Sequence, residues 1–131
     1  MQARSRLVIA ALCCGLAFST APVVAIEDDD FDFDTTGDLL DVCSTTTDQP
    51  EHVVARFACR AFIEATVQYH DAVSDRKQLK RLICYPATAT VADGKAAFIS
   101  WATANKDNTE RMGELPVVGV VRALAARYPC N

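Results

Sequence analysis

Residues 51–73 read EHVVARFACRAFIEATVQYHDAV, and this stretch decides the fold. Val54, Ala58, Ala61, Phe62, Ala65, Tyr69, Ala72 and Val73 recur at three- and four-residue steps, the period of one helix face. His52, Arg56, Arg60, Glu64 and Gln68 fall on other faces. At about 1.5 Å per residue the predicted helix spans roughly 33 Å, enough to organise a small domain. Asp48 is placed to cap it, with Pro50 in its first turn and Glu51 three residues after the cap.

Upstream, Thr35-Thr36-Gly37-Asp38 is a variant of the capping box, and Leu39, Leu40 and Val42 follow it. A short first helix ending near Cys43 is expected, then a polar loop at 44–49. Downstream, Ser74 and Asp75 can cap a further short helix over residues 76–83, with Leu79, Leu82 and Ile83 facing inward. Pro86 steers Tyr85 away from helix and ends it. Thr90-Val91-Ala92-Asp93 opens another helix to about Asn105 that buries Ala92, Ala96, Ile99 and Trp101. Residues 106–113 (KDNTERMG) form a polar loop. The run Val117-Val118-Gly119-Val120-Val121 alone suits a strand. Pro116 fits a helix start better, and Val117, Val121, Leu124 and Tyr128 share a helical stripe.

At the amino end, Arg4 and Arg6 precede an apolar run of 12 residues, 7–18 (LVIAALCCGLAF), broken at Pro22. Val23-Val24-Ala25 offers small residues to a signal peptidase, so residues 1–25 read as a cleaved export signal and the expected compartment is the periplasm. A membrane-spanning helix needs roughly 20 apolar residues, and a lipid-attachment cysteine follows a small residue, whereas Leu12 precedes Cys13. No stable membrane anchor is expected. Without the signal, 11 basic face 17 acidic residues, and six of the acids crowd residues 27–34. Residues 26–35 therefore read as a mobile acidic leader. Its Asp-Phe alternation lacks the turn glycine and distal glutamate of a calcium loop. From Thr35 onward the charges balance, 11 against 11, which leaves no basic excess for nucleic acid.

Cys43, Cys59, Cys84 and Cys130 remain, an even number in a short exported chain, and they read as two disulfides. The spacings of 16, 25 and 46 residues and the lack of any C-x-x-C pair argue against a zinc cage. If the chain folds back after Val73, Cys84 returns alongside Cys59. This favours Cys59–Cys84 with Cys43–Cys130, and Cys43–Cys59 with Cys84–Cys130 stays open. The expected fold is all-α: a small disulfide-stapled bundle of about four to five helices over residues 36–131, behind a disordered acidic N-terminal leader.

Catalytic arrangements are hard to assemble from these residues. No Gly-rich phosphate loop, G-x-S-x-G, H-E-x-x-H or nucleophilic-cysteine signature is present. His70-Asp71 reads as a helix end with a favourable histidine, and Ser74 as its neighbour's cap. Tyr69 and Trp101 read as packing residues, and the cluster Arg76, Lys77, Lys80, Arg81 as a solvated face. No catalytic, cofactor or metal residue is assigned, and no cofactor is expected.

The cysteine framework carries a resemblance. The series runs Leu39-Leu40-Asp41-Val42-Cys43, then Cys59-Arg60-Ala61-Phe62-Ile63, then Cys84-Tyr85-Pro86. It closes with Val121-Arg122-Ala123-Leu124-Ala125-Ala126-Arg127-Tyr128-Pro129-Cys130. It resembles the Rap/Tai-type immunity proteins of bacterial type VI secretion, departing from them at Ala61 and Phe62, where Gly and Tyr are usual. The resemblance implies a periplasmic, non-enzymatic helical protein that binds and neutralises a cell-wall amidase effector. A homodimer is left open. The rival reading is a small helical acid-stress chaperone, with the acidic leader as its sensor.

Overall fold

The computed structural model describes residues 31–131. The proposed signal and the start of the leader lie outside the described residues. The described chain is helical, in the order α1 (Thr36–Ser44), α2 (His52–Lys77), α3 (Val91–Ala104), α4 (Thr109–Met112) and α5 (Pro116–Arg127).

Local signals set most helix starts. Thr35 and Asp38 form a reciprocal capping box, Asp38 N–H donating to Thr35 Oγ1 at 3.2 Å and Thr35 N–H to Asp38 Oδ2 at 2.8 Å. Thr90 and Asp93 repeat it at α3. Each box satisfies two backbone donors that the first helical turn leaves open. Pro116 opens α5, where its fixed φ and missing N–H cost nothing.

The start of α2 lies later than expected. Asp48 accepts from the Thr46 hydroxyl within a turn, and Glu51 is the N-cap residue. Its end also moves. Ser74 and Asp75 do not begin a new helix; α2 runs through them to Lys77. Gln78 then adopts a left-handed conformation, φ 52°, and Leu79 N–H donates to Ser74 O at 2.9 Å while Gln78 N–H reaches Asp75 O. This is the Schellman arrangement, which closes the last carbonyls of a helix. Residues 79–90 follow as an irregular strap, and the helix expected at 76–83 is absent. The polar loop at 106–113 holds the single turn of α4.

The face of α2 is the second correction. Of the predicted stripe, Val54, Ala61, Ala65, Tyr69 and Ala72 face solvent, with Val54 60 % exposed, while Ala58, Phe62 and Val73 are half-buried and Ala58 and Phe62 pack on the edge of the core. Ala55, Cys59, Ile63 and Thr66 face inward instead. The helix is apolar on two sides, and the bond from Cys59 to α1 selects which side is buried. In α3 the buried row is Gly94, Phe98 and Ala102; Ala92 and Ala96 are exposed, and Ile99 and Trp101 are half-buried. In α5 Val120, Ala123 and Leu124 are buried, while Val117 is exposed and Val121 and Tyr128 half-buried.

The core joins Leu39 and Val42 of α1, Ile63 of α2, Ile83 of the strap, Phe98 of α3, and Val120 and Leu124 of α5. Phe31 and Phe33 pack against it, Phe33 edge-on to Phe62 with ring centroids 5.3 Å apart. The leader's alternation thus has a structural use at its end: the phenylalanines dock, while Asp32 and Asp34 face water.

The disulfides are Cys43–Cys59 and Cys84–Cys130, with Cα separations of 5.1 and 5.0 Å. The favoured pairing, Cys59–Cys84 with Cys43–Cys130, is overturned. Because α2 continues past Val73, the strap does not return beside Cys59. It runs to the carboxyl end, where Cys84 N–H donates to Tyr128 O at 2.9 Å.

Candidate interaction surfaces

At the carboxyl end of α2 a cluster of side chains holds the strap. His70, one residue short of the last two turns, is 92 % shielded: its side chain is 8 % exposed. Leu82 N–H can only donate, and it points at His70 Nε2 at 3.1 Å. That places the imidazole proton on Nδ1, which donates to Asp71 Oδ1 at 2.9 Å. Asp71 Oδ1 also accepts from Arg81 at 3.4 Å, and Oδ2 accepts from the Tyr85 hydroxyl. Arg81 completes the cluster by a forked bond to Asp75 at 2.8 and 3.0 Å.

The expected helix end at His70-Asp71 is therefore a clasp inside the helix. Ser74 is buried, and its carbonyl serves the Schellman turn. Within the basic cluster, Arg81 is tied to Asp71 and Asp75, whereas Arg76, Lys77 and Lys80 point to solvent. The clasp was not legible from sequence spacing, because Tyr85 and Arg81 reach Asp71 across an irregular segment.

Electrostatics in the clasp sets its pH range. Burial pushes the Asp71 carboxyl up, but the Tyr85 and His70 hydrogen bonds and the Arg81 charge outweigh it and hold it below its ordinary value. The bond to Asp71, then burial and the Asp71 charge, push the Tyr85 hydroxyl up. A lowered carboxylate stabilises the fold above its unfolded pKa and stops doing so as pH falls through the folded one. A raised tyrosine stabilises below its unfolded pKa and stops doing so as pH rises through the folded one. Tyr85→Phe is thus expected to cost about 1–2 kcal/mol across a plateau between roughly pH 5 and 9. That difference should shrink below about pH 4 and above about pH 10. Thermal melts of both proteins across pH check this; a difference independent of pH would contradict the clasp.

A second surface is residues 105–115. Most of the segment is exposed, with Asn105, Met112 and Glu114 half-buried, and hydrogen bonds brace it at several points. The Asn105 side-chain amide donates to Trp101 O at 2.7 Å, and Arg111 reaches Asn105 Oδ1. Asn108 caps α4 through Arg111 N–H at 3.0 Å. Arg122 grips Glu114 with bonds of 2.8 and 2.7 Å, which raises the arginine's pKa. Met112 packs on the core beneath it. A segment held this way loses little conformational freedom on binding.

A third is a groove of about 500 Å³ between the second half of α2, the strap and the start of α5. Among the described residues no group of three or more His, Cys, Asp or Glu side chains is placed to hold a metal ion. No described helix is long and apolar enough to cross a membrane.

A disulfide-locked helical scaffold with a braced exposed segment defines a rigid binding module. Residues 35–130 match the family of Rap1a immunity proteins, and the chain belongs to that family. It is an immunity protein, whose partner is a secreted toxin. Neither the curated proteins nor the solved structures compared with it include a significant match.

Proposed function

We propose that the protein is exported, cut after Ala25 and active in the periplasm, where it blocks a peptidoglycan-amidase toxin delivered by type VI secretion. The observation that carries this is the family match over residues 35–130, which favours inhibition of a toxin over the acid-stress chaperone. The cysteine framework, with Cys84-Tyr85-Pro86 and the closing Pro129-Cys130, supports an amidase as the target. Arg4, Arg6 and the apolar run before Val23-Val24-Ala25 support the export step.

The mechanism is steric and uses no chemistry of the inhibitor's own. Residues 105–115 enter the amidase cleft as a preformed plug and exclude the peptide substrate. Their internal hydrogen bonds and the anchoring of Met112 set their shape before binding, so affinity is not spent on ordering. The test is a titration of amidase turnover with the protein purified from the periplasm, its intact mass reporting whether the chain begins at Ile26.

A further inference from the structure

Both ring nitrogens of His70 are engaged, and the two bonds make different demands on the proton. Nδ1 faces Asp71 Oδ1 at 2.9 Å, and Nε2 faces Leu82 N–H at 3.1 Å. The Leu82 amide can only donate, so Nε2 must offer a lone pair, and with Nδ1 bound to a carboxylate only the neutral ring does so. Protonation puts an N–H on Nε2, and two donors then meet at that distance. The Nδ1–H bond to Asp71 survives as a charge-assisted bond. The imidazolium therefore keeps its partner on α2 and loses its hold on the strap.

The groups around the ring keep this change local. On α2, Asp71 remains a carboxylate while a histidine titrates: burial pushes its carboxyl up, but the Tyr85 and His70 bonds and the Arg81 charge outweigh it. From the strap, Tyr85 donates to the other oxygen, Oδ2, and is not disturbed. Arg81 shares Oδ1 with His70 at 3.4 Å and forks onto Asp75, an exposed pair of the kind that holds a chain weakly. Lys80 adds a positive group to the wall of the groove that His70 lines. From α5, Val117 and Val121 line that groove, and neither titrates. Leu79 and Leu82 are 56 % and 60 % exposed, so side-chain packing does little to hold this stretch. Its fixed ends are the left-handed turn at Gln78 and the fully buried Ile83.

We propose that His70 is a proton-operated latch: the neutral imidazole pins the strap at Leu82, and the imidazolium releases residues 79–82 while Gln78 and Ile83 stay in place. Histidine is the side chain whose charge changes between about pH 5 and 8. The latch is therefore separate from the pH dependence set by Asp71 and Tyr85, whose limits lie outside that range. The other histidine makes an internal control. His52 is the first residue of α2, and its Nδ1 lies 3.1 Å from Thr45 O, an acceptor that protonation does not repel.

The experiment is NMR on the purified, disulfide-intact protein between about pH 8 and pH 5, reading the imidazole nitrogens, the Leu82 amide signal and its hydrogen exchange. At the upper limit the His70 ring should carry its proton on Nδ1, with Nε2 bare. As pH falls, the Leu82 amide signal should move with the charging of His70. Its protection, corrected for the intrinsic pH dependence of exchange, should fall about tenfold, as for the loss of one hydrogen bond. The amide of Ile63, inside α2, should keep its protection. His70→Gln supplies an acceptor of similar reach that does not titrate, and its Leu82 protection should be equal at both pH limits. His52→Gln should leave the Leu82 response unchanged. A Leu82 amide that keeps its signal and protection while His70 becomes charged would overturn the latch, and so would a His70 ring still neutral at the lower limit. These two readings use the unmodified protein and decide the matter even if a variant fails to fold. Equal loss of protection in His70→Gln, or loss of the response in His52→Gln, would assign the change to another group and overturn the latch as well.

Discussion

Replacing Cys84 and Cys130 with serine should lower the unfolding free energy by about 4 kcal/mol, and replacing Cys43 and Cys59 by about 3 kcal/mol. The chain-entropy argument uses the sequence separations of 46 and 16 residues. The two loops do not overlap, so each constrains a different part of the unfolded chain and the losses should add to about 7 kcal/mol. Small domains have roughly 5–15 kcal/mol in total, so losing both bonds should remove about half of the stability or more. Denaturant titrations of oxidised, singly substituted and fully reduced protein measure this. Fully reduced protein that unfolds at the same denaturant concentration as the oxidised form would contradict it. Non-reducing peptide maps should join Cys43 to Cys59; a peptide joining Cys59 to Cys84 would reverse the pairing.

Gly119→Ala is expected to cost about 2–3 kcal/mol, although alanine in a helix interior normally gains close to 1 kcal/mol over glycine. A methyl at Gly119 would overlap both Cγ2 and Oγ1 of Thr36. Thr36 cannot retreat easily. It is fully buried, its N–H donates to Glu114 O at 2.8 Å, and its hydroxyl donates to Glu114 O at 3.0 Å and Leu115 O at 3.3 Å. This junction fixes the start of α1 on the start of α5, and through it the base of residues 105–115. Thr36→Ala removes both overlapping atoms, so the double variant should be more stable than the sum of its single costs by about 1 kcal/mol or more. Additive costs would show that the two residues do not meet as described.

Signals confined to one helical turn were legible. The Thr35/Asp38 and Thr90/Asp93 boxes and Pro116 place three helix starts from neighbouring residues alone, and each start is where those residues put it. Properties that depend on distant partners were not. Periodicity cannot choose between the two apolar sides of α2, since Val54, Ala61 and Ala65 alternate with Ala55, Cys59 and Ile63 at the same spacing. The choice belongs to the Cys43–Cys59 bond, and that pairing is itself non-local. Ser74-Asp75 reads as a cap, yet α2 continues, because Arg81 supplies Asp75 with its counter-charge and the Schellman turn at Gln78 closes the helix.

The interaction surfaces divide in the same way. The polar composition of residues 106–113 marked a loop, but the bracing that fixes its shape comes from Asn105, Arg111 and Met112 acting across turns. Leu79 and Leu82 carry an inward-facing pattern in a helical reading of residues 76–83. Without that helix they line an open groove and stay exposed.

The central claim is that this rigid module stops a toxin by occupying it. The most direct measurement is amidase turnover on peptidoglycan at a fixed enzyme concentration well above the dissociation constant, titrated with the periplasmic protein. Turnover should fall linearly and reach zero at equivalence, and substitution within residues 105–115 should blunt the fall. Undiminished turnover at a large molar excess of folded, disulfide-intact protein would contradict it.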